Sequence, residues 1–335
     1  MTRREPQTVF PARRIATPVV ALLVTLLVGL LTRQPVAAQD ANILLPIDSA
    51  ETLLRDAPFR IIATQGTRGN ENRDRTLRVT MGFQDSTLIA AKWADAPVGG
   101  ETFNNNPRFE LAAYQIQKMF LDPKDYVVPP TILRSMPLEW YRANMSKVQP
   151  TFDNTNSVLV VLQYWLFNVT GEDVWDEDRF AQDTAYARHF ADLNILTYLI
   201  HHNDSNYGNL LISQDTSNPR VFDVDNGLAF DSEVSDRGTK WHKLLVDRLP
   251  KATVARLRTI TQADLDPLLV LAQFQVSANG SVQRVPATAP DDRNRGVTHR
   301  HDVIQFGLTA REIRSLQRRL RDLLKRVDDG KIEVF

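Results

Sequence analysis

The spacing of apolar residues changes along this chain, and that change constrains its fold more than any other feature. Residues 75–83 place an apolar side chain at every second position, residues 84–86 form a turn, and residues 87–94 return with a similar pattern. This alternation is typical of a half-buried β-hairpin. From about residue 184 onward, apolar residues recur every three or four positions, which indicates helices. The sequence therefore predicts an α+β fold with a strand-rich first part and a mostly helical second part.

Further elements follow from capping residues and from local composition. Pro107 favours the first turn of a helix, and Thr309 with Glu312 forms a capping box. Residues 157–167 are continuously apolar, which indicates a buried strand. Residues 276–300 are polar and contain prolines, so we expect a mobile loop there. The other predicted elements are strands at 59–64, 126–128, 209–213 and 220–224, and helices at 107–120, 184–200 and 309–327.

Residues 1–38 have the pattern of a secretory signal peptide. Five arginines and one glutamate surround a short apolar run at residues 18–31, and small residues follow at Val36-Ala37-Ala38. The apolar run is shorter than the about 20 residues that a bilayer span needs. We expect cleavage after Ala38, with an uncleaved signal anchor, the one expected contact with a membrane, as the alternative.

The chain contains no cysteine. Disulfides, thiolate nucleophiles and cysteine-ligated metal sites are therefore excluded. An exported protein of this size without cysteine is more typical of bacteria than of eukaryotes, whose secreted domains usually carry disulfides. We therefore expect a periplasmic or secreted bacterial protein.

Charge is balanced over the whole chain, with 40 basic and 40 acidic residues. This balance gives no extended basic surface, so we expect no nucleic-acid partner. The predicted helix at 309–327 carries basic residues along one side, which we interpret as a solvated face rather than a phosphate- or lipid-binding stripe.

Polar residues suited to phosphoryl transfer occur on consecutive predicted elements of the chain. Lys92 lies on the return strand of the hairpin, with the small residue Ala90 on the same face. Ala90 leaves room for a flat base, while the Lys92 ammonium reaches toward phosphates. Glu110 lies in the first turn of the next helix, where its carboxylate can pair with Lys92.

Three more polar residues lie in the second half of the chain. Asp204 and Asn209 are five positions apart in a loop between a helix and a strand, and Asp225 follows the next strand. The separation of 16 positions between Asn209 and Asp225 suits one hairpin, which would bring both to the same edge. Phosphoryl transfer needs a lysine, a carboxylate for the acceptor hydroxyl, and carboxylate and amide oxygens for magnesium. Asp223 is an alternative metal ligand, and we expect His202 to support the loop.

These motifs resemble those of atypical kinases. The Asp225-Asn226-Gly227 stretch is similar to the Asp-Asn-Gly motif of the secretory-pathway kinases of the Golgi casein kinase group. The compact loop from Asp204 to Asn209 resembles phosphatidylinositol 3- and 4-kinases and HipA-type kinases. The resemblance covers residues 55–230. It implies a two-lobed protein-kinase-like fold, with a strand-rich N-lobe at 39–157 and a helical C-lobe at 158–335.

The resemblance also implies a reaction and its site. ATP and Mg²⁺ or Mn²⁺ would be the cofactors, and the acceptor would be a hydroxyl on a protein, a lipid or a small molecule. Asp204 and Lys92 would be catalytic, Lys92, Ala90, Glu110, Gly66 and Gly69 would bind or support the nucleotide, and Asn209 and Asp225 would hold the metal.

Two other functions stay open from the sequence. A Gly-x-Gly-x-x-Gly loop is missing, since Gly66 and Gly69 alone would cover the phosphates, and a pseudokinase that serves as a binding or scaffold module is therefore the main alternative. Metal-dependent hydrolysis through His201, His202 and other histidines is the weakest hypothesis, because adjacent histidines point apart and no His-x3-His spacing occurs.

Overall fold

The computed structural model describes most of the chain after residue 39. The predicted signal peptide lies outside the described residues. The described chain is a mixed α+β structure with several sheets, as the sequence predicts. The described ranges are residues 40–67, 76–103, 105–204, 206–230 and 239–335.

Strands dominate the first half and helices the middle of the described chain. The strands are β1 Phe59–Gly66, β2 Thr76–Phe83, β3 Leu88–Asp95, β4 Thr131–Pro137, β5 Ser157–Tyr164, β6 Val169–Thr170, β7 Leu210–Ser213, β8 Val221–Asp223, β9 Arg248–Leu249, β10 Ala272–Val276, β11 Val282–Val285, β12 Val297–Arg300, β13 Val303–Phe306 and β14 Glu333–Val334. The α-helices are α1 Ile47–Asp56, α2 Pro107–Gln117, α3 Leu138–Asn144, α4 Glu177–Gln182, α5 Thr184–Leu199, α6 Lys251–Leu257, α7 Gln262–Leu265 and α8 Ala310–Asp328.

The largest sheet contains five antiparallel strands in the order β1-β2-β3-β5-β4. The predicted hairpin is confirmed, and Arg78 of β2 lies directly opposite Lys92 of β3. Alternate residues of β3, including Ala91 and Trp93, enter a core on one face of the sheet. Lys92 therefore points to the other face. The strand β5, which begins at the predicted boundary residue 157, lies inside this sheet between β3 and β4.

The predicted strand at 126–128 is wrong, and β4 begins after Pro129-Pro130 instead. A proline has no N–H for a sheet ladder, so the segment before β4 is irregular. The buried Gln117 side chain replaces the missing partners. Its Oε1 accepts the N–H groups of Val127 and Val128, each at 2.8 Å, and its Nε2 donates to the Val128 carbonyl at 2.7 Å.

The predicted mobile loop at 276–300 is wrong in part, because two strands form within it. The strands β11 and β12 lie in this stretch and belong to a four-stranded sheet in the order β11-β10-β13-β12. Its inner side chains, including Phe274 and Phe306, share a core with Leu159 and Val161 of β5. The sequence pattern did not indicate these strands, because short edge strands expose many polar side chains. Such strands form because they pair with strands that are distant in sequence.

The longest helices form where the sequence predicts them. Asp183 caps α5, since its Oδ1 accepts the N–H groups of Ala185 and Tyr186 at 3.0 and 3.1 Å. The capping box of Thr309 and Glu312 begins α8. Within residues 40–335, none of the described helices combines the length and apolar character that a bilayer crossing requires.

The strands β7 and β8 follow α5 and form a three-stranded sheet with β6, which precedes that helix. The predicted hairpin at 209–224 is confirmed, with Leu210 paired with Asp223. The N–H of Asp223 also donates to the Val127 carbonyl at 2.8 Å. The segment ordered by Gln117 therefore contacts this hairpin directly.

We expect Gln117→Leu to lower the free energy of unfolding by about 3 kcal/mol, because it leaves the buried N–H groups of Val127 and Val128 without acceptors. Chemical denaturation would measure the change. Gln115→Leu, on the same helix but only half-buried, is the matched control and should change stability by less than about 0.5 kcal/mol. Equal effects of the two substitutions would contradict this account of Gln117.

Candidate active site

A cleft of about 920 Å³ opens between the five-stranded sheet and the β7–β8 hairpin. One side is formed by side chains of β2, β3 and α2. The opposite side is formed by the loop around residues 204–209 and by residues 224–228. Residues 163–171, which comprise the end of β5, the connection that follows it and β6, form the wall between the two sides.

Lys92 is held inside this cleft by two carboxylates. Its Nζ lies 2.8 Å from Oε1 of Glu110 and 3.5 Å from Oδ1 of Asp225, and it donates to the Val224 carbonyl at 3.2 Å. Burial disfavours the ammonium, but the charges of Asp225 and Glu110 outweigh it and hold the pKa of Lys92 above its ordinary value. Lys92 therefore stays protonated at neutral pH.

Glu110 connects Lys92 to the loop after β8. Its Oε1 accepts from Lys92, and its Oε2 accepts the N–H of Asn226 at 3.2 Å. Burial raises the pKa of Glu110, while Lys92 and the Asn226 N–H favour the ionised carboxylate. Asn106, at the N-terminal end of α2, donates from Nδ2 to the Gly227 carbonyl at 3.1 Å. The helix α2 thus holds both Lys92 and the Asp225-Asn226-Gly227 loop.

Asp204 reaches the cleft through a short irregular segment after α5. His201 adopts a left-handed backbone with φ 51°, which turns the chain out of the helix. The N–H of Asn203 then donates to the Leu228 carbonyl at 2.9 Å. Asp204 Oδ1 accepts the N–H of Asn206 at 3.1 Å. Its carboxylate lines the cleft and is partly exposed to it.

The β7–β8 hairpin brings Asn209 next to Val224, the residue before Asp225. The N–H of Val224 donates to the Asn209 carbonyl at 2.9 Å, and both Asn209 and Asp225 line the cleft. The buried Asn209 amide nitrogen donates no hydrogen bond within the described part of the chain. One carboxylate and one amide oxygen suit Mg²⁺ or Mn²⁺, which takes its remaining ligands from water and phosphate.

His202 and Asp223 form a buried pair beneath this site. The His202 Nε2 lies 3.3 Å from Oδ1 of Asp223 and 3.0 Å from the Asp225 carbonyl. Burial disfavours the imidazolium, but the Asp223 carboxylate and the Asp225 carbonyl outweigh it and raise the pKa of His202 to about 9. The charged ring therefore supports the segment that carries Asp225, whereas the sequence predicts that His202 supports the loop at 204–209.

The structure brings five of the predicted site residues to one cleft. Ala90 and Gly66 are not among the residues that line it, although Ala90 lies on the same strand as Lys92. Gly69 lies outside the described residues. The five residues at the cleft are Lys92, Glu110, Asp204, Asn209 and Asp225.

Trp165 and Arg78 also face this cleft, and sequence reasoning did not include them among the site residues. Trp165 lines the cleft, and the Arg78 guanidinium lies 5.0 Å from the centre of its ring. No carboxylate of the described residues pairs with Arg78. The position of Arg78 opposite Lys92 on the hairpin is the signal that could have predicted its approach to the cleft.

The histidines lie in more than one part of the structure, although the ring centroids of His201 and His242 are 4.9 Å apart. His299 lies on β12 and His301 follows it, in the four-stranded sheet, whereas His202 lies beneath the cleft. In residues 40–335, as far as the structure describes them, no group of three or more histidine or carboxylate side chains could hold a metal ion.

No protein-family model matches this chain, and no curated protein is found to be a relative.

We expect Lys92→Met to lower the free energy of unfolding by about 3 kcal/mol, because it leaves the Glu110 carboxylate buried without its cation. Lys92→Met combined with Glu110→Met should recover part of this loss, and a double-mutant cycle would measure the coupling. Lys118→Met removes a more exposed pair with Glu51 and should cost at most about 1 kcal/mol. Additive effects at Lys92 and Glu110 would contradict the pairing.

The buried pair of His202 predicts a pH-dependent stability. The folded pKa of about 9 exceeds the ordinary value of 6.5, so the stabilisation is complete below pH 6.5 and is lost as pH rises through about 9. Unfolding in metal-free buffer across this range would measure the loss. His202→Asn should abolish that part of the pH dependence, whereas His301→Asn, at an exposed turn, should retain it. An unchanged profile in His202→Asn would disprove the assignment.

Proposed function

We propose that this protein is an exported phosphotransferase of the atypical kinase type, which transfers phosphate from ATP to a hydroxyl acceptor with Mg²⁺ or Mn²⁺. The observation that carries the proposal is the convergence of Lys92, Asp204, Asn209 and Asp225 on a single cleft. A two-lobed kinase-like architecture is part of the proposal. It is supported by a five-stranded antiparallel sheet, the pairing of its Lys92 with Glu110 of α2, and one connecting wall at 163–171.

Each residue has a chemical task in this proposal. Lys92 stays charged and binds phosphate oxygens of the nucleotide, while Glu110 fixes its direction. Asp204 orients the acceptor hydroxyl and takes its proton as the hydroxyl oxygen bonds to the terminal phosphorus. The bond between that phosphorus and the bridging oxygen breaks, and ADP leaves with the electron pair. Positioning and charge stabilisation supply most of the catalysis.

Asn209 and Asp225 are the residues suited to hold the metal ion. A bound Mg²⁺ or Mn²⁺ would neutralise charge on the phosphate oxygens. Asp225 lies 3.5 Å from the Lys92 ammonium, so the anionic ligand and the cation are held in one group. The acceptor is a hydroxyl on a protein, a lipid or a small molecule.

Thermal unfolding with ATP and MgCl₂ or MnCl₂ tests the nucleotide site. We expect saturating nucleotide to raise the melting temperature by roughly 5 °C, and Asp225→Asn to abolish the metal-dependent part. Asp215→Asn, in the turn between β7 and β8 and outside the cleft, is the matched control and should keep the full shift. No shift in the unaltered protein would overturn the proposal.

Transfer itself is tested with γ-labelled ATP, by following label on the protein and release of inorganic phosphate. Asp204→Asn should reduce the rate at least about 100-fold while keeping the thermal shift. A parallel reaction with α-labelled ATP separates phosphate transfer from adenylate transfer. Nucleotide binding without transfer in the unaltered protein would favour the pseudokinase, and stabilisation by zinc alone would favour hydrolysis.

A further inference from the structure

Asn42 contacts the back of the cleft wall through both its backbone and its side chain. The N–H of Phe167 donates to the Asn42 carbonyl at 3.1 Å. The Asn42 amide nitrogen donates to the carbonyls of Phe167 and Asn168 at 3.0 and 3.1 Å. Asn42 is only 1% exposed. One buried residue from the start of the described chain therefore holds two consecutive residues of the wall.

The wall needs such support at Asn168. Its φ of 51° lies in the left-handed region, which costs energy for any residue other than glycine and is best tolerated by asparagine. The Asn168 carbonyl accepts from Asn42 and also from the N–H of Gln214 at 2.9 Å. Phe167 and Asn168 both line the cleft. The contacts of Asn42 therefore act directly on residues that face the site.

Asp40 anchors the same segment to the hairpin that carries the metal-binding pair. Its Oδ1 accepts the N–H groups of Asn42 and Ile43 at 2.8 and 3.1 Å, and its Oδ2 pairs with the buried Arg220. Arg220 directly precedes β8, which leads to Asp225. Residues 40–43 thus connect the wall to the strand that ends at the candidate metal site.

We propose that residues 40–44 form a strap that preorganises the nucleotide site, with Asn42 as its positioning residue. The role in nucleotide binding rests on the proposed function. The strap holds residues 164–168 of the wall in their binding geometry before nucleotide arrives. The free-energy cost of ordering these residues therefore does not weaken nucleotide binding. Leu44 completes the strap, because its N–H donates to the Tyr164 hydroxyl at 3.1 Å.

Two substitutions of Asn42 separate its side chain from its backbone. Asn42→Ala removes both donated hydrogen bonds, and Asn42→Asp keeps the size but replaces the donors with acceptors facing two carbonyls. The Phe167 N–H retains the carbonyl of residue 42 in both variants. Asn144→Ala is the matched control, because the exposed Asn144 amide also donates to a carbonyl, that of Trp140 at 2.8 Å, away from the cleft.

Hydrogen exchange and steady-state kinetics are measured on the full chain. Without ligand, we expect the peptide covering 164–169 to exchange about tenfold faster in Asn42→Ala, as for the loss of one or two hydrogen bonds. With ATP and Mg²⁺, we expect KM for ATP to rise about tenfold with kcat changed less than about twofold. Asn42→Asp should show both effects at least as strongly, and Asn144→Ala neither.

The outcomes separate the strap from the proposed function. Unchanged exchange at 164–169 in Asn42→Ala would overturn the strap, even if ATP binds. Faster exchange with an unchanged KM would overturn the positioning role. No effect of ATP on the unaltered protein would overturn the proposed function, and the positioning role with it. If Asn42→Ala does not fold, Asp40→Asn must show the same changes in weaker form, and their absence would overturn the strap.

Discussion

The ion pair between Lys92 and Glu110 is the interaction on which the rest of the site depends. A buried ammonium is tolerated only with compensating charge and hydrogen bonds. Glu110 at 2.8 Å supplies the charge, and the Val224 carbonyl supplies a further acceptor. Because Lys92 belongs to β3, Glu110 to α2 and Val224 to the segment after β8, satisfying one cation brings three separate parts of the chain together.

The C-terminal part of the chain fixes α2 in turn. The Arg108 Nη1 donates to both carboxylate oxygens of Glu312 at 2.9 and 2.8 Å. Glu312, which forms the capping box of α8 with Thr309, therefore also holds the start of α2. Arg108 passes so close to Gly296 that a Cβ there would lie 2.2 Å from its Nε. A larger residue at this point would therefore force the Arg108 side chain, which pairs with Glu312, to shift.

The loop beneath the cleft is supported by charge rather than by apolar packing. His202 binds Asp223 and the carbonyl of Asp225, and the Asp223 Oδ2 has no hydrogen-bond partner among the described residues. Burying polar groups such as His202 and Asp223 costs free energy, and buried groups of this kind are typical of functional sites. The neutral Gln117 side chain supports the same hairpin through hydrogen bonds. It orders Val127, whose carbonyl accepts the N–H of Asp223.

Local patterns in the sequence determined much of the fold. The alternation at 75–94, the capping box at Thr309 and the hairpin at 209–224 depend on neighbours in the chain, and each forms as predicted. The same logic placed Lys92, Glu110, Asp204, Asn209 and Asp225 in elements that meet. It failed at β4, β11 and β12, because polar or proline-flanked strands are ordered by partners distant in sequence.

Only the tertiary structure decided how the cleft is closed and held. The contacts of Asn42 with Phe167 and Asn168 span about 125 positions of sequence, and the approach of Arg78 to Trp165 requires the sheet to be assembled first. A side chain's pairing across such distances depends on which surfaces meet when the core packs, and no local period records that. The sequence by itself determined which residues could do chemistry, and packing decided which of them face one another.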